Sequence, residues 1–343
     1  MTAKQLIIKN PDGLSFEFLE NGSVKSIEAD PIRISLKATT LYSRPGTNIY
    51  LRKRSSPFEF TALMGPESNS NFSFIEGRYL ARGSWAGIEY TCALQLSGEN
   101  LSWQWIIEIE NTFPSALELD LIYVQDIGLK PLNSGLINEY YVSQYLERRM
   151  LEDKKYGPVL CCRQNMKEST GHPWLMLGCR NGAIAACTDG MQFYGKTCRE
   201  TGIPEGLHSD RLGGEYAGES SVIALQEKPF ILAEGESHTS VFVATYLPDH
   251  PDTTSSEDLK RLHSLFIEFG NGTPSGTPSQ FNITHKNLFN PSSFLPINDL
   301  NNKELNDFFG NERRHPEKRF GKNFCLVFCF PCSACSERKI CCL

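Results

Sequence analysis

From its start to about residue 250, the chain is a succession of short runs in which apolar and polar residues alternate, each run ended by turn residues. Alternation with a period of two is what an antiparallel strand with one buried face requires. In LSFEFLENGSVKSIEA, Phe16 and Phe18 alternate with polar neighbours. Asn21-Gly22 supplies a hairpin turn, and Val24 and Ile27 fall on the return strand. The same texture recurs in IRISLKA, TNIYLRKR, SFIEGRYLARGSW, IEYTCALQLSGENLSWQWIIEIENT, LELDLIYVQDIGL, PWLMLGCRNGAIAACTDG, SSVIALQEKPFIL and HTSVFVATYLP. So many strands in succession point to an all-β fold of two large packed antiparallel sheets, and not to βαβ units. Alternation puts Trp103 and Trp105 on one face of their strand, the core face.

Two segments break the texture. Between Tyr145 and Lys155 the charge density rises, which reads as a loop or short helix inserted between strands, with the strand-like VLCCRQN after it. After Pro251, Thr254-Ser255-Ser256-Glu257 has the form of a capping box. Leu259, Leu262, Leu265, Phe266 and Phe269 then recur at helical spacing up to Gly270. GNGTPSGTPSQF has linker composition, and a short helix is expected at Lys303 to Phe309. The expected organisation is a sandwich over residues 1–255, linker helices and loop over 256–319, and an aberrant, disordered Cys-rich tail over 320–343.

A hydrophobic content of 40% is ample for a large core. The formal charge of −6, with Lys and Arg scattered, gives no footprint for nucleic acid or an anionic membrane. The N-terminus lacks the pattern of a signal peptide and no run reaches the roughly 20 apolar residues of a membrane span. The reading is a cytoplasmic protein in which the sequons at Asn21, Asn71 and Asn282 are chance matches and Cys92, Cys161, Cys162, Cys179, Cys187 and Cys198 are reduced, buried thiols.

Few constellations carry chemistry. In the tail, Cys325, Cys329, Cys332 and Cys335 are separated by three, two and two residues. Zinc knuckles need a longer intervening loop and the ferredoxin spacing differs, so metal ligation stands only as the alternative to a non-native reading frame. In STGHPWLML, His172 and Trp174 could hold and stack a sugar ring, although a turn feeding an apolar strand with Trp174 in the core is the favoured reading. Asp189, Glu205, Asp210, Glu215 and Glu219 flank Gly-rich loops as solvated acids, and no glycine loop opens a helix as a dinucleotide or phosphate site would. No cofactor is expected.

The stretch NEYYVSQYLERRMLEDKKYGPVLCCRQNM followed by GHPWLMLGCRNGAIAACTDGMQFYG resembles the N-terminal β-sandwich region of family 94 glycoside hydrolases, most of all the branch phosphorolysing β-1,2-linked glucooligosaccharides. IYLRKR, ESSVIALQEKPFIL, SVFVATYLPDHP and LNNKELNDFFGNERRHPEKR support the likeness, which spans residues 1 to about 319. It implies a galactose-mutarotase-like supersandwich, then linker helices, then an (α/α)6 barrel. In that family the barrel carries an Asp general acid and a pocket for the attacking phosphate. No catalytic residue is carried over onto this chain, whose change of character after Arg319 fits a truncation. The resemblance implies β-glucan oligosaccharide and phosphate as partners of the full-length parent, a homodimer, and active-site-rim candidates at Tyr140, Tyr141, Tyr145, Arg163, His172 and Trp174. Two other functions remain open: a stand-alone carbohydrate-binding sandwich, and a mutarotase-like epimerase with a His and a carboxylate converging on one sheet face, for which His172 and His208 are the histidines to inspect.

Overall fold

The computed structural model describes residues 6–270 apart from 42, 76–77, 133, 135–143 and 219, together with 303, 306–307, 316–319 and 322–325. The chain forms two compact units, Met1–Asn290 and Pro291–Leu343.

In the first unit the alternating runs become strands in chain order: β1 Leu6–Lys9, β2 Leu14–Phe18, β3 Val24–Ala29, β4 Ile32–Arg33, β5 Thr47–Lys53, β6 Glu59–Ala62, β7 Ser70–Ile75 and β8 Arg78–Trp85. Then follow β9 Ile88–Leu96, β10 Ser102–Asn111, β11 Leu117–Asp126, β12 Lys130–Pro131, β13 Leu146–Asp153, β14 Gly157–Gln164, β15 Trp174–Cys179 and β16 Ala183–Cys187. The last three are β17 Val222–Glu227, β18 Phe230–Leu232 and β19 Ser237–Leu247. All the ladders among them are antiparallel. An eight-stranded sheet has the order β13-β14-β15-β19-β10-β9-β8-β7, and a six-stranded sheet the order β16-β17-β11-β5-β6 with β18 on β11. A third, five-stranded sheet, β1-β2-β3-β4-β12, joins the two that alternation led us to expect.

The inward positions of all three sheets meet in one core. Trp103 and Trp105 of β10 are fully buried there, and Phe16 of β2 meets both rings edge-on at centroid distances of 5.4 and 6.2 Å. The Asn21-Gly22 turn closes the β2–β3 hairpin as expected, with Phe18 opposite Val24 and Phe16 opposite Ile27. Gly22 has φ +79°, and a Cβ there would lie 2.4 Å from the Phe72 ring, so both conformation and space call for glycine.

Each large sheet is also covered outside. Residues 190–212, which include α1 Gly190–Tyr194 and α2 Cys198–Thr201, place Phe193, Leu207 and Leu212 on the six-stranded sheet against Tyr50, Ile122 and Ala224. Helix α3, Leu259–Phe269, lays Leu262, Leu265 and Phe266 on the eight-stranded sheet against Ile106, Met176, Val241 and Val243. The expected helix is present, but the capping box lies one residue on: Ser255 and Asp258 form it around the single 3-10 turn Ser256–Asp258 that leads into α3. Thr254 instead accepts a hydrogen bond from the Trp174 indole N–H at 3.0 Å.

The segment from Tyr145 to Lys155 is a correction, because its greater part is strand β13 in a hairpin with β14. Charge density misled here since the strand's charges find partners remote in sequence. Buried Arg148 donates to the carbonyls of Thr188 and Gly218, Arg149 pairs with Glu215 at 3.3 Å, and Asp153 faces His263 at 2.8 Å. The six body cysteines are free and buried, as expected, and burial pushes the Cys162 and Cys187 thiols up to about 12.

In the second unit the described part is a hairpin, β20 Pro316–Arg319 with β21 Lys322–Cys325, together with helical Lys303, Asn306 and Asp307. Strand β21 thus extends into the stretch expected to be disordered. Cys329, Cys332, Cys335 and most of the expected Lys303 to Phe309 helix lie outside the described residues.

Candidate functional site

The rim candidates fall in two groups. Tyr140 and Tyr141 lie outside the described residues. Tyr145, Arg163, His172 and Trp174 come together where β14 and β15 meet the segment after β19, and most of their polar atoms are already spoken for. Arg163 donates to the carbonyls of His250 and Pro251 and to Asn165 Oδ1, at 2.8, 2.7 and 2.8 Å. The His172 ring Nδ1 lies 3.1 Å from the Gln164 carbonyl, and its backbone N–H donates to Asp249 at 2.8 Å. Trp174 is 0% exposed and stacks on His250 at 4.8 Å and 12°. Trp174 is therefore a core residue and not a sugar platform, because a stacking platform needs an open face. Tyr145 and His172 are half-buried and keep some surface.

The His and carboxylate required for epimerase chemistry do not converge at the expected histidines. His208 is exposed and meets Phe60 edge-on at 5.3 Å, while the His172 ring faces a backbone carbonyl.

A pairing that sequence reasoning missed lies between the two large sheets. Glu227 is the last residue of β17, on the inward register of Ile223 and Leu225, and is fully buried. It accepts a hydrogen bond from Ser240 of β19 at 2.7 Å and faces His238 Nε2 at 3.3 Å. Burial pushes its carboxyl above the ordinary carboxylate range, against the opposing effect of His238 and Ser240. The His238 ring is held from its other side by Phe230, stacked at 3.8 Å and 21°.

His238 also borders a groove of about 490 Å³ on the eight-stranded sheet, lined by Arg82, Glu89, Thr91, Glu108, Glu110 and Thr239 among others. The register builds this lining. Arg82 pairs with Thr91, Thr91 with Glu108 and Glu108 with Thr239, so one row of polar side chains crosses β8, β9, β10 and β19. Glu89, Glu110 and Ser237 form the next row on the same face, two residues along each strand. Arg82 Nε is buried and has no hydrogen-bond partner among the described residues. Alternating polar residues that mark a solvent face in sequence carry no sign of this row, since register alone aligns them.

An arginine, carboxylates and hydroxyls on a rigid sheet can hydrogen-bond a polyhydroxylated ligand without doing chemistry on it. Among the described residues no group of three His, Cys, Asp or Glu side chains is placed to hold a metal ion, and no helix is long and apolar enough to cross a membrane.

The sequence is 25% identical over 296 residues to a 1,2-beta-oligoglucan phosphorylase of Listeria innocua serovar 6a, an alignment covering 85% of this chain and 26% of that protein. The chain thus spans about a quarter of the length of this curated relative. Among solved structures, a bacterial glucoamylase complexed with acarbose has a TM-score of 0.45 at 11% identity, over 78% of this chain and 36% of that one. A galactose mutarotase-like protein from Clostridium acetobutylicum has a TM-score of 0.35 at 7% identity, over 69% of this chain and 93% of that one. The model of the SOGP N-terminal domain matches residues 17–243, well over half of the chain, which therefore belongs to the SOGP N-terminal domain family.

Proposed function

We propose that this chain is the non-catalytic, carbohydrate-facing and dimerising sandwich of a cytoplasmic phosphorylase, of glycoside hydrolase family 94 type, that cleaves β-1,2-linked glucooligosaccharides with inorganic phosphate and inverts the anomeric centre. The observation that carries this reading is the family match over residues 17–243, together with the 25% identity to the 1,2-beta-oligoglucan phosphorylase over 296 residues. In the parent enzyme the general acid and the phosphate pocket belong to a separate catalytic barrel. Tyr145 and His172, at the half-buried end of β14 and β15, are the described rim candidates that would face its substrate. The alternative of a carbohydrate-binding sandwich acting alone is favoured by one feature, the polar groove on the eight-stranded sheet.

The test is phosphorolysis of sophorooligosaccharides by the purified chain, alone and joined to the remaining length of the relative. The expected result is no glucose 1-phosphate from the chain alone and release from the joined protein. Release of glucose 1-phosphate by the chain alone would overturn the non-catalytic assignment.

A further inference from the structure

We propose that the groove built by Arg82, Thr91, Glu108, Glu110 and Thr239 on the outer face of the eight-stranded sheet is a binding subsite for a neutral oligosaccharide segment. The proposal rests on the carbohydrate-facing reading above and names the surface and the ligand class.

The volume, about 490 Å³, lies within the ~300–1,000 Å³ range of small-molecule sites. Its lining is spaced for hydroxyls. Directly paired residues on neighbouring strands stand roughly 5 Å apart, and positions two along a strand roughly 7 Å. Arg82, Thr91, Glu108 and Thr239 therefore offer a donor fork, a hydroxyl, a double acceptor and a second hydroxyl in one row. A carboxylate accepts two hydrogen bonds from a vicinal diol, and a guanidinium donates two. Arg82 Nε has no hydrogen-bond partner among the described residues, so the packing around this guanidinium leaves a donor unsatisfied.

Charge selects the class. Glu89, Glu108 and Glu110 outnumber Arg82 at the groove, so inorganic phosphate and uronic acids are repelled while a neutral sugar is not. Four paired strands form the floor, so binding needs little reorganisation.

Titration calorimetry on the full chain with sophorotriose, cellotriose, a glucuronic acid trisaccharide and inorganic phosphate tests this, alongside Arg82→Gln and Glu108→Gln. The expected result is binding of the neutral trisaccharides alone, weakened roughly tenfold or more by either substitution at unchanged thermal midpoint. Hydrogen exchange on the wild-type chain should show saccharide protection in β8, β9 and β10, a readout that stands even if a variant fails to fold. Unchanged affinity in both variants, or protection elsewhere, overturns the groove while leaving the carbohydrate-facing reading intact. Preferential phosphate or uronate binding overturns the ligand class, and absence of any saccharide binding overturns both readings.

Discussion

Glu227 shows how a single residue can oppose the pattern that places it. Its position on β17 follows Ile223 and Leu225 into the inter-sheet layer, where an isolated carboxylate is costly unless hydrogen-bonded, and Ser240 and His238 of the facing sheet supply the partners. Burial raises its pKa, so the folded chain holds the proton more tightly than the unfolded chain. The associated stability is fully present below the ordinary value of 4.5 and is lost as pH rises through the raised folded value. Glu227→Gln removes this titration, so thermal midpoints followed from about pH 4 to about pH 8 should shift in the variant's favour as pH rises. A difference between variant and wild type that is flat in pH would refute that account. Trp174 makes a second point at this scale. Its indole N–H is satisfied by Thr254 and its ring by His250. Trp174→Phe loses both a hydrogen bond and volume and should cost about 1–3 kcal/mol in denaturant unfolding, with the midpoint lowered and the slope unchanged.

Elements add a layer that strand counting does not reveal. Helix α3 docks through Leu262, which meets Gly178 of β15 so closely that a Cβ on Gly178 would lie 2.5 Å from Leu262 Cδ1. Leu262→Ala should cost about 2–5 kcal/mol by opening a cavity, and Gly178→Ala about 1–3 kcal/mol by overpacking. Combined, the two should be less costly than their sum, since the smaller side chain makes room for the new methyl group, and strict additivity would refute the contact. On the opposite sheet, Arg52 is fully buried and forms a double hydrogen bond to Asp120 at 2.7 and 2.6 Å. Its remaining donors reach the carbonyls of Leu207 and Ser209, and Gln226 donates to both Asp120 and the Asp210 carbonyl. This network ties the outer 205–210 segment to the sheet. Asp120→Asn leaves Arg52 buried beside a neutral partner and should destabilise by about 3–5 kcal/mol. Limited proteolysis should then cut within 196–211 before the strands, whereas cleavage spread evenly along the chain would argue that the network does not anchor this segment.

For the whole molecule, acid should act first where α3 joins the sandwich. Burial alone would raise Asp153 and Asp258, but backbone N–H groups and the facing His263 and His250 hold both carboxyls below 3.8. Their stabilisation is complete above that value and is lost as pH falls through the lower folded values. Helical and near-UV circular dichroism should therefore fall together below about pH 4, and Asp153→Asn should flatten that loss. An unchanged acid transition in the variant would count against the pairing. The sandwich itself was legible in the sequence: a period of two cannot be buried except in a sheet, so the strands, the Asn21-Gly22 hairpin, the core face of Trp103 and Trp105, the buried cysteines and the helix after Pro251 all follow from local chemistry. The charged β13 strand was not legible, because its partners Thr188, Gly218, Glu215 and His263 lie far along the chain. The groove escaped because cross-strand register aligns its row over β8, β9, β10 and the distant β19, and the Glu227–His238 contact because it joins two different sheets whose facing no local pattern shows. What the sequence by itself determined is which residues alternate and hence that sheets form. Which alternating residues come face to face was decided only by the tertiary structure, since cross-strand register is a long-range choice that no local window contains.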